Sequence, residues 1–275
     1  GKPLLTMRNG CAGFFTDDDL AAGQGVVDSK LDLQNKQGVL PEDWAELLPL
    51  SPAQYSDAQV NALRVGDLAG CFGDRFKNLP LQNPVRIPDG KMNLVHRVLS
   101  LTPGGGRYGL GQIVAEADIH PDDWFITCHF VDDRVMPGTL MFECCLHTLR
   151  IYLMRMGWVA ENDTAWWEPR PEVTGKLKCR GQVLETTKKV TYEVNIKELG
   201  YGPQPYAIAD ARMYADGKPI VDIGNMSIQL QGQTREALEA FWQGAAPTLG
   251  EPKPAVYDYN KILAYSQGNP SEGFG

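Results

Sequence analysis

Hydrophobic positions along this chain fall into two kinds of stretch. From Gly138 to Met156 they cover nearly a whole helical circumference: Leu140, Met141, Phe142, Cys144, Cys145, Leu146, Leu149, Ile151, Tyr152, Leu153 and Met156. Such a run predicts one long helix buried on most sides. One polar stripe interrupts it. Thr139, Glu143, His147 and Arg150 stand at i, i+4, i+8 and i+11 and share a face. A carboxylate on an inner helix is costly without a partner or a task, so Glu143 needs an explanation. The lead-in from Trp124 reads as an extended apolar segment that carries His129 and breaks at Pro137-Gly138.

The second kind of stretch has strand character. Met92 to Leu101 and Arg107 to Ala117 flank the Pro103-Gly104-Gly105-Gly106 turn, and four more candidates follow at 175–185, 188–199, 205–215 and 219–231. The 188–199 run alternates cleanly, with Val190, Tyr192, Val194 and Ile196 on one face. Residues 25–60 are polar and turn-rich and read as a linker over the surface, 58–72 as a short helix, and 160–173 as a loop. A hairpin, a buried helix and a four-strand meander predict an α+β layout, one antiparallel sheet wrapped around a single central helix.

Composition narrows the function classes. With 275 residues and 43% hydrophobic content, the chain can bury a real core. A net charge of −8 argues against a nucleic-acid surface. The six cysteines show no regular framework, and Cys144 and Cys145 adjoin inside the apolar helix, which suits a reduced, cytoplasmic protein. The most apolar stretch, 138–158, carries Glu143, His147, Arg150 and Arg155, so no membrane span is expected.

Two echoes suggest a repeating module. Gly1-Lys2-Pro3-Leu4-Leu5 and Asn9 parallel Gly217-Lys218-Pro219-Ile220-Val221 and Asn225, and Ala62, Gly66, Asp67, Phe72 and Gly73 parallel Ala264, Gly268, Asn269, Phe274 and Gly275. The chain also starts at Gly1 without methionine. It is therefore expected to be a piece of something longer: 1–24 the end of a preceding unit, 25–84 a linker, 85–232 one whole domain, and 233–275 a helix and linker toward a following unit.

Cys128-His129-Phe130, then Val135-Met136-Pro137-Gly138, then Leu140 and Glu143, resemble the hot-dog-fold 3-hydroxyacyl-[acyl-carrier-protein] dehydratases of bacterial fatty-acid synthesis. The likeness spans about residues 85–232, and the flanks are similar to linkers in the multi-dehydratase segments of polyunsaturated fatty-acid and polyketide-type synthases. The resemblance implies the hot-dog fold, His129 as the catalytic histidine and Glu143 as the catalytic acid. It also implies Gly138 as a backbone donor to the thioester carbonyl. A working site would need a second hot-dog unit, a copy or an adjacent domain, because one unit supplies the histidine and the other the acid. The partner would be an acyl carrier protein bearing the substrate on phosphopantetheine, with no further cofactor. The glutamate at 143 argues against double-bond isomerisation, which belongs mainly to the family's aspartate branch. His147 stands where glutamine is common.

The chemistry suits these residue types. Dehydration removes a C2 proton and expels hydroxide from C3. Glu143 in an apolar groove is expected to stay protonated, since desolvation raises a carboxyl pKa, and His129 is the natural base. The Gly138 and Thr139 N–H groups, at the positive end of the helix, face the developing oxyanion. Phe130, Val135, Met136, Leu140 and Phe142 are candidate tunnel residues. Cys128, His129, Cys144, Cys145 and His147 lack metal-site spacing, so no metal is expected. Lys176, Lys178, Arg180, Lys188 and Lys189 read as a solvent face or as a carrier-docking patch. The alternatives are a hot-dog thioesterase or hydratase, or a silent structural hot-dog partner.

Overall fold

The structure, a computed structural model, describes residues 6–10, 13, 16–23, 25–30, 34–129, 132–244 and 262–263. The Gly1–Leu5 and 264–275 halves of the two echoes, and Phe130, lie outside the described residues. The chain divides into two units, Gly1–Trp242 and Gln243–Gly275. Of the second, the description covers Gln243, Gly244 and the helical pair Ile262 and Leu263, both of them exposed.

The first unit opens on a short helix, α1 (Asp17–Ala22), whose Thr16 and Asp19 cap each other. Strand β1 (Ala53–Tyr55) leads into α2 (Asp57–Arg64) and α3 (Leu68–Phe72). Sequence periodicity had joined α2 and α3 into one helix. Gly66, at φ +83°, and Asp67, whose carboxylate accepts from Gly70 N–H at 2.8 Å, divide them. Strands β2 (Arg97–Pro103) and β3 (Gly111–Asp118) follow, then α4 (Trp124–Cys128) and the central helix α5 (Gly138–Arg155). The remaining elements are β4 (Trp166–Glu168), β5 (Lys176–Cys179), β6 (Lys189–Gly200), β7 (Tyr206–Ala215), β8 (Lys218–Gln231) and α6 (Arg235–Gly244).

Among the described residues eight strands make one antiparallel sheet, ordered β1-β2-β3-β6-β7-β8-β4, with β5 also on β8. Helix α5 packs on β3, β6, β7 and β8, the hot-dog arrangement. Strand β7 alternates without a break, and its buried positions are Ala207, Ala209, Ala211, Met213 and Ala215. Those small side chains leave depth for the bulky residues of the helix, such as the fully buried Leu149, Ile151 and Leu153. Each large aliphatic side chain so buried contributes about 1.5–3 kcal/mol relative to exposure. The β7–β8 turn has Asp216 at φ +45° and Gly217 at φ +84°, the left-handed pair that a tight hairpin demands.

Three sequence expectations need correction. The lead-in to α5 is not extended. The Pro121-Asp122-Asp123 turn, closed by Asp123 N–H to His120 O at 3.1 Å, starts the helix α4 instead. Residues 160–173 hold a strand, β4, that pairs with the β8 edge. Residues 25–60 are not merely a surface linker. Ala53 and Tyr55 pair with Leu101 and Val98, Val39 pairs beside Glu198, and Leu48 is buried. Their polar periodicity is weak because each contributes only isolated buried positions. The cap they form with α2 and α3 meets α6 at Trp242, which meets Phe76 edge to face and donates to Gly157 O at 2.7 Å.

Candidate functional site

The segment after α4 carries the candidate histidine. His129 is the C-cap of α4, and its Nδ1 lies 3.1 Å from Val135 O. A carbonyl only accepts, so Nδ1 carries the proton and Nε2 is the basic atom of the neutral ring. Val135 and Met136 then run beside 183–184, through the Val135–Leu184 bridge and Met136 N–H to Val183 O at 3.0 Å. That pairing fixes where Pro137 starts α5.

Pro137 O accepts from Leu140 and Met141, at 3.0 and 3.1 Å. The N–H groups of Gly138 and Thr139 come earlier and make no hydrogen bond among the described residues. They head a helix of 18 residues whose dipole places partial positive charge there. A Cβ at Gly138 would sit 3.1 Å from the Cys179 sulfur, so β5 approaches the helix start closely. Sequence reasoning missed Cys179, because nothing in its spacing announces a contact made through the sheet.

Glu143 lies on the polar stripe, with its side chain 37% exposed, and His147 Nε2 is 3.5 Å from its carboxylate. The ring itself is buried, at 3% exposure. The expectation of a protonated Glu143 fails in the single unit. The hydrogen bond from His147 pulls its pKa below 4.5, and the charges of His147 and Arg150 add to that; burial opposes them and loses. The stripe does not face solvent throughout, since His147 is a core residue that orders Glu143. Burial, first, and the nearby arginines push the His147 pKa below 6.5.

Of the tunnel candidates, Val135, Met136 and Leu140 are buried within this chain, and Phe142 keeps an exposed side. Met136 lines a cavity of about 30 Å³ with Phe125, Tyr192 and His96, room for about one water. Among the described residues the partner of Glu143 is His147.

Asp57, His96 and Asp118 place ligand atoms within 4.8 Å of one another. Arg97 occupies that cluster, bonded to Asp118 at 2.7 Å, to Glu116 at 2.7 Å and to Asp57 at 3.4 Å. The arrangement is an ion-pair network whose charge is supplied by an arginine. Cys144 and Cys145 are buried thiols, the former pushed up to about 12 by burial. Lys176, Arg180, Lys188 and Lys189 are exposed, whereas Lys178 is half-buried and Leu177 beside it is exposed.

The FabA-like domain matches residues 87–224. The chain is 36% identical, over 99% of its length, to a polyunsaturated fatty acid synthase polypeptide of Thraustochytrium sp., and spans 19% of that relative. Likenesses to solved structures are distant. The dehydratase heterocomplex ApeI:P of Xenorhabdus doucetiae shares 11% identity at a TM-score of 0.36, over 55% of this chain and 90% of that one. The E. coli PaaI protein shares 9% at 0.34, over 50% and 80%. No helix among the described residues is long and apolar enough to cross a membrane. The family match covers half of the sequence and both the buried helix and the wrapped sheet, so this chain belongs to the FabA-like domain family of hot-dog proteins.

Proposed function

We propose that this chain is a dehydratase unit of a fatty-acid or polyketide-type synthase, converting a carrier-bound 3-hydroxyacyl thioester to the trans-2-enoyl thioester. The observation that carries this reading is the start of α5. Two N–H donors without an acceptor among the described residues, at Gly138 and Thr139, precede Glu143 on one helix, and Val135 O lies by His129 Nδ1, which favours the tautomer that a base requires.

The steps follow from these groups. His129 Nε2 takes a proton from C2, and the negative charge moves to the thioester oxygen, where the two N–H groups receive it. Loss of one such donor typically costs 10²–10³ in rate, about 3–4 kcal/mol. The C2–C3 double bond forms as the C3–O bond breaks, and the departing hydroxide takes the proton of Glu143 and leaves as water. Glu143 ends as carboxylate and His129 as imidazolium, and proton exchange with solvent resets both.

In the single unit Glu143 is partly exposed and held ionised. An ordinary glutamate is protonated only about once in several hundred at pH 7. A second hot-dog unit and the acyl chain together would strip water from that carboxyl and raise its pKa. The same pairing would bring the partner's histidine to this acid. An acyl carrier protein would present the substrate, with Lys176, Lys178 and Arg180 beside the helix start as its anchoring charges.

Incubation with a 3-hydroxyacyl pantetheine thioester tests the reading, with enoyl product followed by mass spectrometry. Enoyl thioester is expected from the wild type, and none from His129→Ala or Glu143→Gln. Release of free acid without enoyl product would assign a thioesterase instead.

A further inference from the structure

Glu143, His147 and Arg150 stand at i, i+4 and i+7 of α5, one above another on a single face. Arg150 is part-buried, its Nε is closed to solvent without a hydrogen-bond partner, and among the described residues it makes no ion pair. A part-buried cation without an ion pair is costly, and the charge of Arg150 acts on Glu143 and His147 of the same face. The charged groups facing the His147 ring are Glu143 and Arg150 from α5 and Arg64 from α2. Arg64 is itself buried, fixed by Asn93, Val95 O and Pro88 O, with its own Nε unpartnered. The charges of two arginines from different elements therefore bear on one buried imidazole.

We propose that Arg150 is a positioning residue for the dehydration. Together with Arg64, it compels His147 to remain a neutral ring that donates one Nε2–H to Glu143 Oε2. This deepens the dehydratase reading and rests on it. The logic is electrostatic. If His147 became an imidazolium, 3.5 Å from the acid, it would pin Glu143 as a carboxylate with no proton to give. A neutral ring still favours the carboxylate through its hydrogen bond, but by less than an imidazolium would, because it adds no full charge. Burial already disfavours the imidazolium, and the two cations disfavour it further, against the pull of Glu143.

The test combines a titration with kinetics in Arg150→Gln, Arg150→Met and Arg150→Lys, with His147→Gln used to assign the ring signal. Imidazole NMR of the intact chain reads the His147 midpoint whether or not the chain turns over a substrate. A wrong dehydratase reading and a wrong role for Arg150 are therefore separable. In Arg150→Gln and Arg150→Met the midpoint should rise by about half a pH unit or more, with Arg150→Lys close to wild type. Enoyl formation by the neutral variants should fall several-fold relative to wild type between about pH 7.5 and 6, with KM within about twofold. If the neutral variants do not fold, Arg64→Met gives the same measurement from the α2 side. An unmoved midpoint in the neutral variants would overturn the proposal. So would an unmoved midpoint with a broken oligomer, since Arg150 would then serve only to pair with another unit.

Discussion

Replacing Gly138 by alanine separates fold from chemistry at the start of α5. The added methyl meets one neighbour, the Cys179 sulfur at 3.1 Å, which must yield by a few tenths of an ångström. Against that strain stands a gain in helix propensity, up to about 0.8–1 kcal/mol in a helix interior and less at the first position. The two nearly cancel, so stability should change by under about 1 kcal/mol, or roughly 2–4 °C in Tm for a domain of this size. The chemistry has no such compensation, because on the proposed mechanism the methyl would crowd the thioester oxygen as it approaches the N–H groups. Losing that alignment should lower kcat/KM by about 10²-fold, near 3 kcal/mol. The assay pairs thermal unfolding with enoyl-thioester formation, and repeats both in Gly138→Ala/Cys179→Ala, where the sulfur no longer crowds the methyl. Folding should recover in the double variant and activity should not. Activity within twofold of wild type in Gly138→Ala would refute the placement of the oxyanion at this helix end.

Trp242→Ala removes a ring 3% exposed and its hydrogen bond to Gly157 O, and should cost about 3–5 kcal/mol in urea unfolding; a loss under 1 kcal/mol would show that α6 is dispensable. Arg97→Gln leaves the buried Glu116 short of a partner and should cost about 1–3 kcal/mol near pH 6. Arg97 holds Asp118 down to about 2 in the folded chain, so that stabilisation is present above about pH 4. The gap in Tm between wild type and variant should therefore narrow as pH falls from about 4 toward 2, and a gap constant with pH would contradict this. His147→Ala removes the largest influence lowering Glu143, so its carboxyl should titrate higher by carbon NMR; an unmoved or lower midpoint would mean that burial, not His147, sets it.

What the sequence disclosed follows the range over which each signal acts. The long helix was legible because a helix with an apolar circumference from Leu140 to Met156 is stable in water only when buried, and α5 runs Gly138–Arg155. The meander was legible in the alternation of Val190, Tyr192, Val194 and Ile196, all buried. His129, Gly138 and Glu143, the residues proposed to carry the chemistry, lie close along the chain, so their motif survives in sequence. Strand β1 did not show, because three residues gain their order from pairing with β2, beyond the intervening α2 and α3. The charge state of Glu143 was misjudged because apolar neighbours were visible along the helix, whereas the burial of His147 is created by elements folded over it. Cys179 and Arg64 reach the site only through the sheet and the cap, where no local spacing records them.

The alanines of β7 set a distance. With Ala209 and Ala211 closed to solvent beneath α5, the gap between helix and sheet is gauged by methyl groups. One added branch there has nowhere to go in a close-packed interior except into the helix. Glu143 and the donors at Gly138 ride on that helix, so a hydrocarbon change on the far strand would retune the groups proposed to react without touching them.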